Sequence, residues 1–289
     1  MSEADRSGGC SQRPLGAFGE RVSALGLGLG PLARAGADAP WEDTLAAALD
    51  LGVTTIDAAG GGLRRASEER LGPLLLGRHD DVFLSTRSAA REDGERPTPK
   101  SVRASLEESL RLLRTDRVDL YHVHDAADSA PGQLVQATLP ALVEARERGD
   151  VRYVGVSTGR LDVLLDTLHA FPVDALLCYG KLDLVDASLA AEVLPAAAER
   201  GVAVVNASPL HSGALAAATP LRDAALDRAR ADGADLVRAA LQFAAGFASV
   251  STTLVGMASP LEVERVVRDF HAVPDGAEAR LIAARGAAS

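Results

Sequence analysis

Aromatic residues make up only 3% of the 289-residue chain, with a single Trp, so the interior cannot be built on large rings. Hydrophobic residues nevertheless reach 47%, which leaves Ala, Leu and Val to fill a core and excludes a disordered or fibrous protein. Cysteine is also scarce. Cys10 and Cys178 lie far apart, without the spacing of a disulfide framework or a metal site, and Cys178 is expected as a small core residue. No apolar stretch approaches the roughly 18 residues of a membrane-spanning helix. The polar, Gly-rich start lacks the apolar segment of a secretory signal, so a cytoplasmic protein is expected. Positive charge is in deficit, with 30 Lys and Arg against 40 Asp and Glu and a net charge of -10. A surface of that sign repels nucleic-acid backbones and anionic membranes, leaving a small molecule as the expected partner. An anionic ligand would need a local basic pocket.

What is present is a regular alternation of strand and helix signals. After a flexible segment over residues 1–12, "RPLGAFGERVSALGLGLG" reads as a β-hairpin leading into a first strand near 24–29. Further strands are expected at 53–57, 82–86, 118–124, 151–157, 175–178, 202–206 and 252–255. Between them, "SVRASLEESLRLLR" places Leu106, Leu110 and Leu113 at helical spacing, and "LVEARERG" and "LPAAAERG" end in the basic residues and glycine of helix C-termini. About eight strand–helix units at this length predict an α/β fold, a (β/α)8 TIM barrel preceded by the hairpin, as a single domain over 13–289.

A barrel of this kind builds its site from the loops at the C-terminal ends of the strands. Strand by strand, that rim receives Asp57 and the glycines of "IDAAGGGLRR", then Arg87, then His124 with Asp125, then Ser157 and Thr158. Tyr179 and Lys181 follow, then Ser208 and the "SPLHSG" turn, and last Gly256 with Ser259. His122 and His124 share a strand face, which raises a metal reading. No complementary set of His or carboxylates stands at later strand ends, so no metal is expected. Tyr121 should point away from the interior into which its neighbours point.

These segments carry a resemblance. "GVTTIDAA", "SEERLG", "VFLSTR", "RVDLYHVHD", "RYVGVSTG", "GVAVVNASPLHSGAL" and "TTLVGMASP" occur in this order over about residues 13 to 270. Together they resemble the aldo-keto reductase family, nearest its branch of L-galactose, L-fucose and pyridoxal dehydrogenases. The resemblance implies a barrel that transfers hydride between NADP or NAD and a small polar carbonyl or alcohol, using an Asp-Tyr-Lys-His tetrad. Asp57 matches the aspartate and His124 the histidine. The tyrosine position, counted forward from Asp57 or back from Ser67, is Gly62, and the lysine position is Arg87. The tetrad is therefore degenerate. The resemblance assigns Ser208, Leu210, Ser212 and Gly213 to the cofactor pyrophosphate and Gly256 and Ser259 to the last phosphate loop, with Ser157 and Thr158 as further cofactor contacts. A basic residue commonly found at the 2′-phosphate falls at Ala258, and a Glu-Asn pair for adenine falls at Arg265 and Val266.

Arginine is a planar, permanently charged fork, so Arg87 is expected either to pair with Asp57 or to bind an anionic ligand. Asp57 is then either its salt-bridge partner or a working carboxylate. Arg64 and Arg65 are expected in solvent, unless one reaches substrate, and His211 is the other histidine expected to touch a ligand. Tyr179 is placed as a stacking partner or substitute acid. Three functions follow. The first is a reductase-like oxidoreductase whose proton comes from His124, Tyr179 or water. The second is a barrel repurposed for non-redox chemistry with Asp57, His124 and Arg87, and the third is a non-catalytic ligand-binding protein.

Overall fold

The computed structural model describes residues 9–58, 63–88, 98–124, 133–221, 223, 235–274 and 276–286. Glycines 60–62 and Asp125, singled out above, lie outside the described residues. The fold opens on an antiparallel pair, β1 (Gln12–Pro14) and β2 (Arg21–Ser23). Eight parallel strands then follow: β3 (Leu25–Gly28), β4 (Thr55–Asp57), β5 (Phe83–Arg87), β6 (Val118–His124), β7 (Val151–Thr158), β8 (Ala175–Tyr179), β9 (Ala203–Ala207) and β10 (Thr252–Gly256). They pair in sequence order, and β10 also pairs with β3 to close the barrel. This is the (β/α)8 architecture expected above, with its N-terminal hairpin.

The strands are apolar on both faces because one face looks into the barrel and the other meets helices. Inside, Phe83, Leu120, Leu177, Val205 and Leu254 pack with Leu15 and Val22 of the hairpin, which stops the N-terminal end of the barrel. Arg13 fixes that stopper by donating to the carbonyls of Ala245, Phe247 and Val250 at 2.6, 2.8 and 3.0 Å. The hairpin turn requires Gly16: its φ is +52°, and a Cβ there would lie 2.4 Å from the Gly201 carbonyl oxygen. The hydrogen-bonded fold starts ahead of residue 13, since Gln12 is already in β1 and the Cys10 amide donates to Leu51 O at 2.7 Å.

The second, larger core lies between strands and helices. The helix Pro99–Leu113 shows how the sequence sets it. Thr98 and Ser101 form a reciprocal capping box at its start, and Leu106, Leu112 and Leu113 bury its inner face. Tyr121 does point outward, donating to Ser105 Oγ of this helix at 3.1 Å. The glycines foreseen as helix stops, Gly149 and Gly201, adopt φ of +88° and +68°.

Five strands run one residue further than their hydrophobic signal. β5, β7, β8, β9 and β10 end on Arg87, Thr158, Tyr179, Ala207 and Gly256. The reason is physical: the ladder hydrogen bonds continue after the apolar alternation has stopped at the rim. The rim residues are thus held by sheet, which aims them more firmly than a loop would.

Candidate active site

A cavity of about 470 Å³ opens at the C-terminal ends of the strands. Asp57, Arg87, His124 and Tyr179 line one part of it; Ser208, Leu210, Ser212 and Gly213, from the turn after β9, line another. Gly256 joins from β10, and Pro31 and Arg34 from the short helix after β3. A larger recess, about 790 Å³, surrounds His79, Arg114 and Asp119 at the opposite end of the barrel. Two of its arginines, Arg117 and Arg152, are committed to Asp80 and Asp119, and no rim residue lines it. The rim residues named from the sequence therefore gather at the smaller cavity.

At the cavity floor, Arg87 Nη2 donates to Asp57 Oδ2 at 2.7 Å. Arg87 Nη1 donates to Ser157 Oγ at 3.1 Å, and Ser157 Oγ lies 3.4 Å from His124 Nδ1. The Asp57 side chain is 4% exposed and that of Arg87 13%, so the pair sits in a poorly solvated place where charge interactions are strong. Of the two roles open to Asp57, the salt bridge to Arg87 is present. Ser157 is fully buried and serves as the link between Arg87 and His124.

Burial and the Arg87 charge lower the His124 pKa to about 4, and the wholly buried His122 behind it to about 3. His124 is therefore a neutral imidazole at pH 7, able to orient an oxygen but not to act as an imidazolium acid. The same shifts have a stability consequence. In the unfolded chain both rings take up protons near pH 6.5, before the folded chain does. Stability is thus fullest above that value and falls as the pH drops toward 4. The loss is about 2–3 kcal/mol per histidine at pH 4.5, at ~1.4 kcal/mol per unit of pH. Glu68, whose carboxyl is raised by burial, acts in the opposite sense. Urea unfolding from pH 7 to 4.5 should show the falling trend, and His122→Leu should remove about half of its slope. A flat profile would contradict the assignment.

Tyr179 is 38% exposed, and its ring centroid lies 6.3 Å from that of His124. Its ring rests over Gly159, where an added Cβ would lie 2.9 Å from Tyr179 Cε2. Of the chain's three tyrosines only this one lines the cavity. Tyr121 faces the helix layer, and Tyr153 packs with Phe83 and Phe18 near the hairpin.

The turn after β9 has an unusual backbone. Ser208, His211 and Ser212 have φ of +62°, +49° and +54°, followed by Gly213 at +92°. Left-handed conformations of non-glycine residues cost on the order of 1 kcal/mol or more each and persist where surrounding structure imposes them.

The structure places several of the residues singled out in the sequence away from the cavity lining or in other surroundings. Ser157 and Thr158 do not line the cavity: Ser157 is spent on Arg87 and His124, and Thr158, on the outward-facing register, accepts from the Arg160 amide at 3.1 Å. Ser259 also stands off the cavity wall, because its hydroxyl caps the helix Pro260–His271 by accepting from Glu262 N. Lys181 leaves the rim to pair with Asp186 at 2.8 Å. His211 does not line the cavity either and hydrogen-bonds the buried Asp183 at 2.9 Å. Arg64 is buried, not solvated, and binds Glu68, Glu108 and Ser109 between helices, while Arg65 is exposed and pairs with Glu108. Arg265 turns to Asp235 and Asp269. Sequence reasoning missed Arg34, an exposed cation on the cavity wall, which no periodicity or motif marks. Among the described residues, no cluster of His, Cys, Asp or Glu is arranged to hold a metal, and no helix is long and apolar enough to cross a membrane.

Comparison with known proteins adds an independent line. A model described as the aldo/keto reductase family matches residues 24–284. The chain is 31% identical to the L-galactose dehydrogenase of Arabidopsis thaliana, covering 88% of this chain and 86% of the relative. It is 32% identical to the D-threo-aldose 1-dehydrogenase of a Pseudomonas species, over 72% of this chain and 71% of that one. Among solved structures, the holo form of an aldo-keto reductase from Bacillus halodurans superposes with a TM-score of 0.78 at 27% identity, covering 95% of each chain.

Proposed function

Because the chain belongs to the aldo/keto reductase family of oxidoreductases, we propose that it moves hydride between NAD(P)(H) and a small polar carbonyl or alcohol, with Tyr179 carrying the proton. One observation supports this reading above others. A single cavity is lined both by the turn that resembles a pyrophosphate site and by Asp57, Arg87, His124 and Tyr179.

The residues present fit a nicotinamide dinucleotide. Ser208 and Ser212 offer hydroxyls, and an added Cβ at Gly213 would meet only open space, so a ligand can approach the backbone there. Arg34 supplies a cation on the same wall, in a protein whose net charge is -10. A volume of about 470 Å³ lies within the range of small-molecule sites. When bound, the nicotinamide supplies the hydride that reduces the carbonyl carbon.

The remaining work falls to the side chains. The neutral His124 hydrogen-bonds the carbonyl oxygen and orients it. The phenol of Tyr179 gives that oxygen its proton and, being partly exposed, regains one from solvent. Arg87 provides a fixed positive charge in the same cavity and stabilises negative charge developing on the oxygen. Asp57 holds the guanidinium in place. The non-redox reading would need Asp57 as a free base, but one of its oxygens is engaged by Arg87 and its side chain is 4% exposed.

The test is a fluorescence titration with NADPH and, separately, NADH. Saturable binding of one equivalent per chain is expected for at least one of them. Failure of both to bind would remove the reading.

A further inference from the structure

The conformation of the cofactor-side turn has an identifiable support outside the cavity. Asp183, in the loop after β8, is wholly buried. Its Oδ1 accepts the amides of Val185 and Asp186 at 2.7 and 2.9 Å, which winds that loop around the carboxylate. Its Oδ2 is left facing His211 Nδ1 at 2.9 Å, across to the turn after β9. His211 is one of three non-glycine residues in that turn with left-handed φ, and it lies between Ser208, Leu210, Ser212 and Gly213, which all line the cavity.

The turn's own hydrogen bonds are internal. His211 N donates to Ser208 O, Gly213 N to Leu210 O, and Leu215 N to Leu210 O. Such bonds fix the shape of the turn but not its seat on the barrel. Two polar contacts tie this part of β9 to the loop after β8 without reaching the tip: Gly180 N to Ala207 O at 3.3 Å and Asn206 Nδ2 to Leu182 O at 3.2 Å. The Asp183 contact is made at the tip itself. It is also the one with a charged, desolvated acceptor, hence the strong one.

We infer that Asp183 and His211 form a positioning pair that holds the turn 208–213 in the seat on the barrel where it receives the phosphates of the dinucleotide. This rests on the functional reading above and adds to it two residues that do not line the cavity. Neither residue enters the proton transfer, so the pair should govern affinity for the cofactor and leave the chemical step alone.

The experiment separates backbone preference from the side-chain contact. His211→Gly relieves the left-handed backbone but removes the partner of Asp183. His211→Asn keeps an amide donor and is itself a residue that tolerates this conformation. Calorimetric titration with NADPH or NADH, whichever the wild type binds, should show His211→Gly weakened about tenfold or more. His211→Asn should stay within about threefold, and kcat at saturating cofactor should be nearly unchanged in both. In the protein without cofactor, hydrogen exchange at the Gly213 and Leu215 amides should speed up in His211→Gly and not in His211→Asn. Equal affinity of wild type and His211→Gly would overturn the inference while leaving the functional reading intact. Absence of binding by the wild type would overturn that reading, and the inference with it.

Discussion

Replacing Tyr179 by phenylalanine is expected to lower kcat for carbonyl reduction at least about a hundredfold while leaving the NAD(P)H dissociation constant within about threefold. The expectation follows from elimination as much as from position. The resemblance puts Gly62 where the family's phenol would stand, and of the three tyrosines only Tyr179 lines the cavity. His124 cannot take over as acid at neutral pH, because burial and Arg87 hold its pKa at about 4. Removing one hydroxyl from a ring that still rests over Gly159 leaves packing intact, so the loss should appear in kcat rather than in folding. Steady-state rates with a panel of aldehydes and aldoses, alongside a cofactor titration of the same variant, check both halves. An unchanged kcat would transfer the proton to solvent and remove Tyr179 from the mechanism.

The second large effect is on stability. Arg87→Met should destabilise the fold by about 3–5 kcal/mol, because it leaves the buried Asp57 carboxylate without the counter-charge 2.7 Å away. Adding Asp57→Leu should recover most of that loss, since replacing a buried ion pair by apolar side chains of similar size is often neutral or better. Turnover should be lost in both the single and the double variant. Urea denaturation and rate measurements together therefore divide the structural share of the pair from its catalytic share. A single variant as stable as wild type would show that the pair is solvated and weak.

The barrel was legible in the sequence because its signals are local and repeated. Each strand is an apolar run of a few residues, and several helix ends are marked locally, such as by Thr98 with Ser101 and by the terminal Gly149 and Gly201. The Asp57/Arg87 contact was also foreseeable, since neighbouring strands of a parallel barrel must bring adjacent rim positions together. What stayed hidden depends on contacts between distant loops. The Asp183/His211 bond joins residues 28 positions apart, and Arg64 is drawn inward by Glu108 from a different helix. Neither leaves a periodic trace. Ser157, Thr158 and Ser259 show the converse: the resemblance suggested them as cofactor contacts, while a hydrogen bond to Arg87, an outward register and a helix cap hold them off the cavity wall.

The most direct measurement uses nicotinamide cofactor deuterated at the transferring carbon, with mass spectrometry of the product from the best substrate of the aldehyde and aldose panel. Hydride transfer in this cavity should place one deuterium on the new carbinol carbon and oxidise one equivalent of cofactor per product formed. Conversion of substrate without deuterium gain and without cofactor oxidation would contradict the oxidoreductase reading and identify the barrel as one turned to non-redox chemistry.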